Sequence, residues 1–450
     1  MSDSAPIPAL KTRLCVMMFL QFFIWGVWYV PMWPYLSGLG IAPEKIGFAY
    51  SATGIAAMVS PIFIGMVADK FFSSQIVLAV LHILGGVFLF LAANATDYVG
   101  AELIVGSEEY QAAVWGLFFP LILAHLLCYM PTLALVNSVL FQSVSDPQKD
   151  APPIRTLGTI GWIVSGVVVG SSFLVGEEHA IAFQAPQFLG GPEAPANAIG
   201  MGLTNTPLLI GAVASVLLGL FCFTLPNTPP KLKGQKTTLG DVIGLKAISL
   251  MRDRAFAVFI VCSLLICIPL SFYYQTANGY LKAMGVNNSE GVMTLGQVSE
   301  IFFLLLVPFF FRKIGVKKML MIGMLFWVLR YVFFANAGPD AHTLLFLGVL
   351  AHGICYDFFF FTGQLYVDQR APEDIRSSAQ GFIAFVTLGV GMFIGGIVNG
   401  WWNGKQTTDV KGQDAVVDWS AVWYFPAIMA AVVLVAFVFL FKESNSEKTA

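Results

Sequence analysis

Glu300, Arg330 and Asp357 are charged side chains set inside otherwise apolar stretches of this sequence. A charge at the middle of a bilayer costs roughly 2.5–3.5 kcal/mol on insertion scales, so an ionisable residue kept there is a candidate for binding or for carrying a proton. Gln297 and Glu300 are three apart, which puts an amide and a carboxylate on one helix face, where both can bond a single polar ligand. Asp357 stands in Tyr356-Asp357-Phe358-Phe359-Phe360-Phe361. Among so many rings its charged form is poorly solvated, and taking up a proton comes within reach at physiological pH. Arg330 has no acid in its own stretch, so it reads as structural, with Asp357 as the obvious partner for a permanent ion pair. Arg155, Thr159 and Trp162 fall at i, i+4 and i+7. That spacing aligns a guanidinium, a hydroxyl and an aromatic plane, a set suited to a ligand with hydroxyls and a flat ring. Gln21, Trp25 and Trp28 repeat the spacing, so Trp25 or Trp28 is a second aromatic candidate. His352 and Tyr356 share a face, whereas His82 has no partner near it in sequence and reads as a satisfied core histidine.

The elements that must hold these residues are set by composition. Of 450 residues, 57% are hydrophobic and 11% charged, against roughly 25% charged in ordinary soluble domains. Lipid is therefore the expected solvent. A net charge of -2 offers no basic surface for nucleic acid. The cysteines at 15, 128, 222, 262, 267 and 355 each lie in an apolar run without CxxC spacing, so neither a disulfide framework nor a metal site is expected. A bilayer core of about 30 Å needs about 20 apolar residues in a helix. On that rule twelve spans are expected near 14–34, 45–67, 75–93, 113–141, 154–175, 206–226, 255–280, 293–311, 317–336, 342–366, 376–398 and 420–441. The first follows Lys11 and Arg13 without a cleavage site and reads as an uncleaved span.

With the N-terminus inside, all of the 24 Lys and Arg except Lys45, Lys282, Lys405, Lys411 and the intraspan Arg330 fall on the cytoplasmic side. Both termini are then cytoplasmic. The polar segment 227–254 is the natural linker between an N-terminal bundle at 1–226 and a C-terminal bundle at 255–450. The halves repeat each other. Ala124-His125-x-x-Cys128-Tyr129 recurs as Ala351-His352-x-x-Cys355-Tyr356, and Tyr35-Leu36-x-x-Leu39-Gly40-Ile41 recurs as Tyr280-Leu281-x-x-Met284-Gly285-Val286. Ile154-Arg155 recurs as Ile375-Arg376, and Pro61 matches Pro308. Parallel six-helix repeats of this kind resemble the major facilitator superfamily, whose substrate sites lie at midplane between the halves. The run Gly65-Met66-Val67-Ala68-Asp69-Lys70 looks like that superfamily's cytoplasmic Gly-x-x-x-Asp-(Arg/Lys) motif, which implies a gating and structural role for Asp69.

A closer resemblance follows from Pro152-Pro153-Ile154-Arg155-Thr156-Leu157-Gly158-Thr159-Ile160-Gly161-Trp162 and from Gln297-Val298-Ser299-Glu300. Phe19-Leu20-Gln21-Phe22-x-x-Trp25-Gly26-x-Trp28, Tyr129-Met130-Pro131-Thr132, Asp357-Phe358-Phe359 and Arg376-x-Ser378-Ala379-Gln380-Gly381 extend it. These runs resemble the bacterial nucleoside:proton symporter family, the nucleoside and xanthosine permeases. The resemblance implies a monomeric, proton-coupled importer of the bacterial inner membrane. Arg155, Thr159, Trp162, Tyr274, Gln297, Glu300, His352 and Tyr356 would then bind substrate, with Asp357 and Glu300 in proton coupling. Two departures stand out. Where the family's span 7 offers a glutamine and an asparagine, this chain is read with Ser271 and Tyr274; where span 10 offers a tyrosine and a phenylalanine, it has His352 and Tyr356. A sugar or another polar ring compound is the alternative cargo, and a non-transporting nutrient sensor the alternative class. No cofactor, no catalytic residue and no nucleotide-phosphate cradle is expected.

Overall fold

The computed structural model describes residues 9–63, 71–100, 102–176, 180–185, 191–192, 197–229, 245–286, 288–339, 341–373, 375–408 and 415–442. Asp69 and its motif lie outside them. Helices occupy each expected apolar run. Span 1 is Leu10–Tyr29, extended beyond Pro31 by Met32–Gly38; span 2 is Pro43–Phe63 and span 3 Ser74–Ala93. Span 4 is Glu108–Ser143, span 5 Pro147–Gly170, span 6 Thr206–Cys222 and span 7 Arg254–Ala283. Spans 8 and 9 share Ser289–Asn336, broken at Gly315, whose φ of 74° and ψ of 171° are not helical. Span 10 runs through His342–Leu350, His352–Cys355, a π-helical turn at Tyr356–Phe361 and Thr362–Arg370. Span 11 is built likewise, with a π-helical turn Phe385–Gly391 between Arg376–Ala384 and Met392–Gln406, and span 12 is Trp419–Leu440. Nine helices among the described residues are long and apolar enough to cross a membrane, the joined spans 8 and 9 counting as one and spans 2 and 6 standing outside the nine.

Some boundaries move for local reasons. Span 4 starts at Glu108 rather than 113 because the Ser107 side chain accepts from Tyr110 N at 3.2 Å, and Glu108 and Glu109 suit the positive end of the helix dipole. Span 5 ends at Gly170, short of the expected 175, because Ser172–Val175 turns into strand β1. That strand pairs antiparallel with β2, Ala180–Phe183, and β3, Ile199–Gly200, within the Pro/Gly/Ala-rich connection. Span 7 is capped by Asp253, whose carboxylate accepts from Ala255 N at 2.8 Å and Phe256 N at 3.1 Å and pairs with Arg370 at the end of span 10.

The chain divides into two compact units, one of residues 1–41 and 59–237, the other of residues 42–58 and 238–450. In the first, span 1 packs on spans 5 and 6, and span 3 on spans 4 and 6. In the second, span 7 packs on spans 11 and 12, and joined spans 8 and 9 on spans 10 and 12. Adding six to each span number converts the first set into the second, so the sequence repeat recurs as packing. Small residues permit the closest of these contacts, as expected where lipid supplies no hydrophobic drive between helices. A Cβ at Gly161 would strike the Phe19 carbonyl of span 1, and one at Gly395 would lie 2.9 Å from the Cys267 carbonyl of span 7. Residues 42–58 join the second unit through Ser51, whose hydroxyl reaches both the Gly47 and the Phe393 carbonyls at 3.0 Å.

The repeat extends to backbone torsions. Gly40 and Gly285, at matched places after spans 1 and 7, have φ of 78° and 82°. Ile41 N bonds Leu36 O at 3.1 Å, and Val286 N bonds Leu281 O at 2.9 Å. This is the glycine-terminated helix stop in which a left-handed residue lets the chain reverse and satisfy the last carbonyls. Any side chain there would add roughly 1–2 kcal/mol of strain.

Candidate functional site

In the second unit, spans 7, 8 and 10 bring together most of the residues singled out there. His352 is buried among three tyrosine rings: Tyr273 stacked at 5.1 Å, Tyr274 edge-on at 6.1 Å and Tyr356 tilted at 5.6 Å. Its Nε2 lies 3.7 Å from Glu300 Oε2, and neither ring nitrogen has a hydrogen-bond partner among the described residues. Gly296 makes room for this arrangement, since a Cβ there would sit 3.0 Å from His352 Cβ and 3.1 Å from the Tyr273 hydroxyl. The next residue, Gln297, is buried with its Oε1 unpartnered among the described residues, while Glu300, its side chain 23% exposed, forms the open edge. Tyr274 and Tyr356 are half-buried beside them. Leaving a buried polar atom unpaired costs about 1–3 kcal/mol. A set of them in one place is the mark of a site that a polar ligand or ordered water completes.

Asp357 is the second residue of the π-helical turn of span 10, 1% exposed, with Oδ2 unpartnered among the described residues. π-Turns inside α-helices recur at functional sites. Here the turn's own backbone is served locally, as Thr362 Oγ1 donates to Asp357 O at 2.9 Å. The expected ion pair with Arg330 is not formed. Arg330 instead lies 3.9 Å over the Tyr273 ring and 4.9 Å from Trp327, and its Nε donates to Gly348 O at 3.0 Å. The Tyr273 ring of span 7, the Trp327 ring of its own helix and the Gly348 carbonyl take up the guanidinium in place of a carboxylate.

In the first unit, Arg155 is exposed and Thr159 and Trp162 are half-buried on span 5. Trp162 meets Trp25 of span 1 edge-on at 5.5 Å, and Trp25 in turn meets Tyr129 at 5.9 Å. Trp28 is not available as the alternative: it is fully buried, edge-on to His125 at 5.3 Å. Behind this aromatic face runs a closed polar chain. Gln21 Nε2 donates to Thr132 Oγ1 at 2.7 Å, Gln21 Oε1 meets His82 Nε2 at 2.9 Å, and His82 Nδ1 meets Ser215 Oγ at 3.2 Å. His82 is thus a satisfied core histidine.

Ser271, read from sequence as facing a ligand, is fully buried and spent on the Cys267 carbonyl at 3.0 Å, with Gly395 packed against it. One turn further along span 7, Gln275 was missed. Its Oε1 accepts from Asn399 Nδ2 at 2.9 Å, which fixes the amide, while its Nε2 is buried without a partner among the described residues. The signal for it lay in the Gln275-Thr276-Ala277-Asn278 run, an amide pair at helical spacing.

Helices whose pairing repeats from one half of the chain to the other, with intramembrane carboxylates held among aromatic rings, define a multi-pass secondary transporter of the major facilitator type. A family model described as "Nucleoside H+ symporter" matches residues 9–189 and 194–446, and the chain belongs to that family. It is 43% identical over 442 residues to YegT of Escherichia coli (strain K12), covering 97% of this chain and 95% of that one. To the nucleoside permease NupG of the same organism it is 31% identical over 450 residues, covering 96% of each. The solved structure of NupG superposes with a TM-score of 0.78 over 97% of this chain and 100% of that one, at 31% identity. A D-xylose-proton symporter, 12% identical with a TM-score of 0.66, shares the fold.

Proposed function

We propose that this chain imports nucleosides together with protons across the bacterial cytoplasmic membrane by alternating access. Family membership supports the cargo and the coupling ion. The observation that carries the reading is the set of polar atoms on Gln297, His352 and Asp357 without partners among the described residues, grouped among tyrosine rings and edged by Glu300. Rings offer faces to a nucleobase, and the amide and carboxylates offer acceptors to ribose hydroxyls. The residues proposed to bind substrate are Arg155, Thr159, Trp162, Tyr274, Gln297, Glu300, His352 and Tyr356. Asp357 carries the coupling proton, and Asp69 acts in gating. The two bundles are residues 1–226 and 255–450, linked by 227–254, and both termini are cytoplasmic. Each chain works as a monomer with lipid as its surroundings.

The test is uptake into proteoliposomes under an imposed pH gradient, with labelled nucleosides competed by a panel of nucleosides, nucleotides and sugars. Uridine or a purine nucleoside competes. Phosphorylated nucleotides do not, because Glu300 and Asp357 repel them. Competition by disaccharides alone would overturn the nucleoside reading.

A further inference from the structure

His352 is fully buried, and neither of its ring nitrogens is held by a hydrogen bond among the described residues. Its orientation therefore comes from what packs on the ring. Tyr274 and Tyr356 are half-buried, and they meet it edge-on at 6.1 Å and tilted by 32° at 5.6 Å. Tyr273, in contrast, is fully buried and lies nearly parallel to the imidazole, with 21° between the planes and centroids 5.1 Å apart. Tyr273 is itself gripped. The Arg330 guanidinium lies 3.9 Å from its ring centroid, and Arg330 Nε donates to the Gly348 carbonyl at 3.0 Å, which ties the stack to the first helix of span 10. Span 8 closes the arrangement at Gly296, where a Cβ would sit 3.0 Å from His352 Cβ and 3.1 Å from the Tyr273 hydroxyl. That hydroxyl has no partner among the described residues, so the ring and not the oxygen makes these contacts.

We propose that Tyr273 sets the plane of the His352 imidazole in the substrate site and is itself braced by Arg330, so that both ring nitrogens are aimed before a nucleoside arrives. This rests on the reading above in which His352 binds substrate, and deepens it by naming what aims that residue. A neutral imidazole offers one N–H and one lone pair, both in the plane of the ring. Hydrogen bonds favour donor angles above about 150° and weaken steeply below about 120°, so a ring turned by a few tens of degrees misses the ligand edge it would otherwise meet. A ring already held flat also spares the ligand the cost of ordering it. The guanidinium is drawn to the tyrosine face by the ring quadrupole, more strongly because both are out of water, and an aliphatic side chain at 273 would offer it no such face. In this scheme neither Tyr273 nor Arg330 touches the nucleoside, and both are positioning residues.

The experiment measures binding of labelled uridine and labelled adenosine to purified protein in a double-mutant cycle. Tyr273→Leu weakens binding about fivefold, the scale of ordering one side chain on binding. His352→Phe, which deletes the nitrogens, costs a similar factor. The double variant loses about fivefold and not about 25-fold, because a tyrosine that acts only through His352 has nothing left to aim. Tyr273→Phe keeps the ring and binds to within about twofold of wild type, with a thermal midpoint no lower, since it removes a buried hydroxyl that has no partner among the described residues. Where Tyr273→Leu does not insert, Gly296→Ala decides: its methyl crowds the stack, weakening binding about threefold in the wild type and no further in His352→Phe. Wild-type affinity in Tyr273→Leu, a fivefold loss in Tyr273→Phe, or losses that multiply in either double variant overturns the inference. Unchanged affinity in His352→Phe alone, or no binding of either nucleoside by the wild type, overturns instead the site reading on which it rests.

Discussion

His125 and His352 stand at matching places of the repeat, and their surroundings differ. His125 stacks on Tyr129 at 5.7 Å, as His352 packs on Tyr356 at 5.6 Å, so the contact with the tyrosine four residues on survives in both. But His125 gives its Nδ1 to the Gly85 carbonyl at 2.8 Å and leaves only Nε2 without a partner, while neither nitrogen of His352 is engaged among the described residues and Glu300 lies 3.7 Å away. Among the described residues around them, the first unit closes the Thr132–Gln21–His82–Ser215 chain although the His125 Nε2 and Trp25 Nε1 stay unpaired, and the second closes Gln275, Thr276, Asn399 and Asn403 on one another while Gln297, His352 and Asp357 keep atoms without partners. Duplication has kept the packing, and under the proposed function it has divided the chemistry, the first cluster serving stability and the second a ligand and a proton.

The strongest way to break that division is at the carboxylates. Asp357→Asn mimics a permanently protonated site and is expected to abolish concentrative uptake while retaining exchange between equal concentrations. Glu300→Gln removes a charge-assisted acceptor worth about 1.5–3 kcal/mol and should weaken nucleoside binding about 10- to 100-fold. Assayed in the same proteoliposomes, concentrative uptake by Asp357→Asn together with exchange-only behaviour of Glu300→Gln would reverse the two roles.

The histidines themselves come next. His352→Phe preserves the stack on Tyr273 but deletes both nitrogens, so it should lower nucleoside affinity about fivefold with little change in the thermal midpoint. His125→Phe, which strands the Gly85 carbonyl, should cost about 1 kcal/mol of stability and leave affinity intact. If both variants lose affinity alike, the two clusters are not divided in function.

At the shared turns the halves have the same backbone but different neighbours. Gly40→Ala and Gly285→Ala each place a Cβ at positive φ and should each lose roughly 1 kcal/mol, with the larger drop in thermal midpoint at Gly40, whose Cβ would come 2.6 Å from Gln111 Nε2 while that of Gly285 meets nothing within 4 Å. A larger drop at Gly285 would mean that the Gln111 contact has no weight.

The smallest effect belongs to Asp253. Its partial burial pushes the carboxyl up, but Arg370 and the Phe256 and Ala255 amides outweigh that and hold it below its usual range. A depressed acid stabilises the fold above its unfolded value, near pH 4, and loses that contribution as pH falls through the lower folded value. The wild-type thermal midpoint should therefore fall more steeply below pH 4 than that of Asp253→Asn; parallel curves would assign the pair no role.

Hydropathy made the spans legible, because about 20 apolar residues have few other uses, and the repeat was legible because His125/His352 and Gly40/Gly285 kept their neighbours. The site was legible only within single helices. Gln297 with Glu300, and His352 with Tyr356, are contacts at helical spacing, whereas the Tyr273 stack on His352 joins residues 79 apart in sequence. Charge counting placed Arg330 on Asp357, since it weighs sign and ignores the ring faces that reach the guanidinium first. Ser271 was chosen over Gln275 because sequence does not reveal which face of span 7 is closed by Gly395 of span 11.

The π-helical turn at Tyr356–Phe361 carries a consequence for how the molecule breathes. Amides at the middle of a membrane helix are ordinarily among the last to take up deuterium, since opening one would strand its hydrogen bond in hydrocarbon. Here the wider turn falls inside span 10, and the Asp357 carbonyl is served by the Thr362 hydroxyl. That leaves a stretch of backbone whose opening costs less than that of the regular turns on either side. Deuterium should enter span 10 from its centre outward, at the carboxylate, and not from its ends.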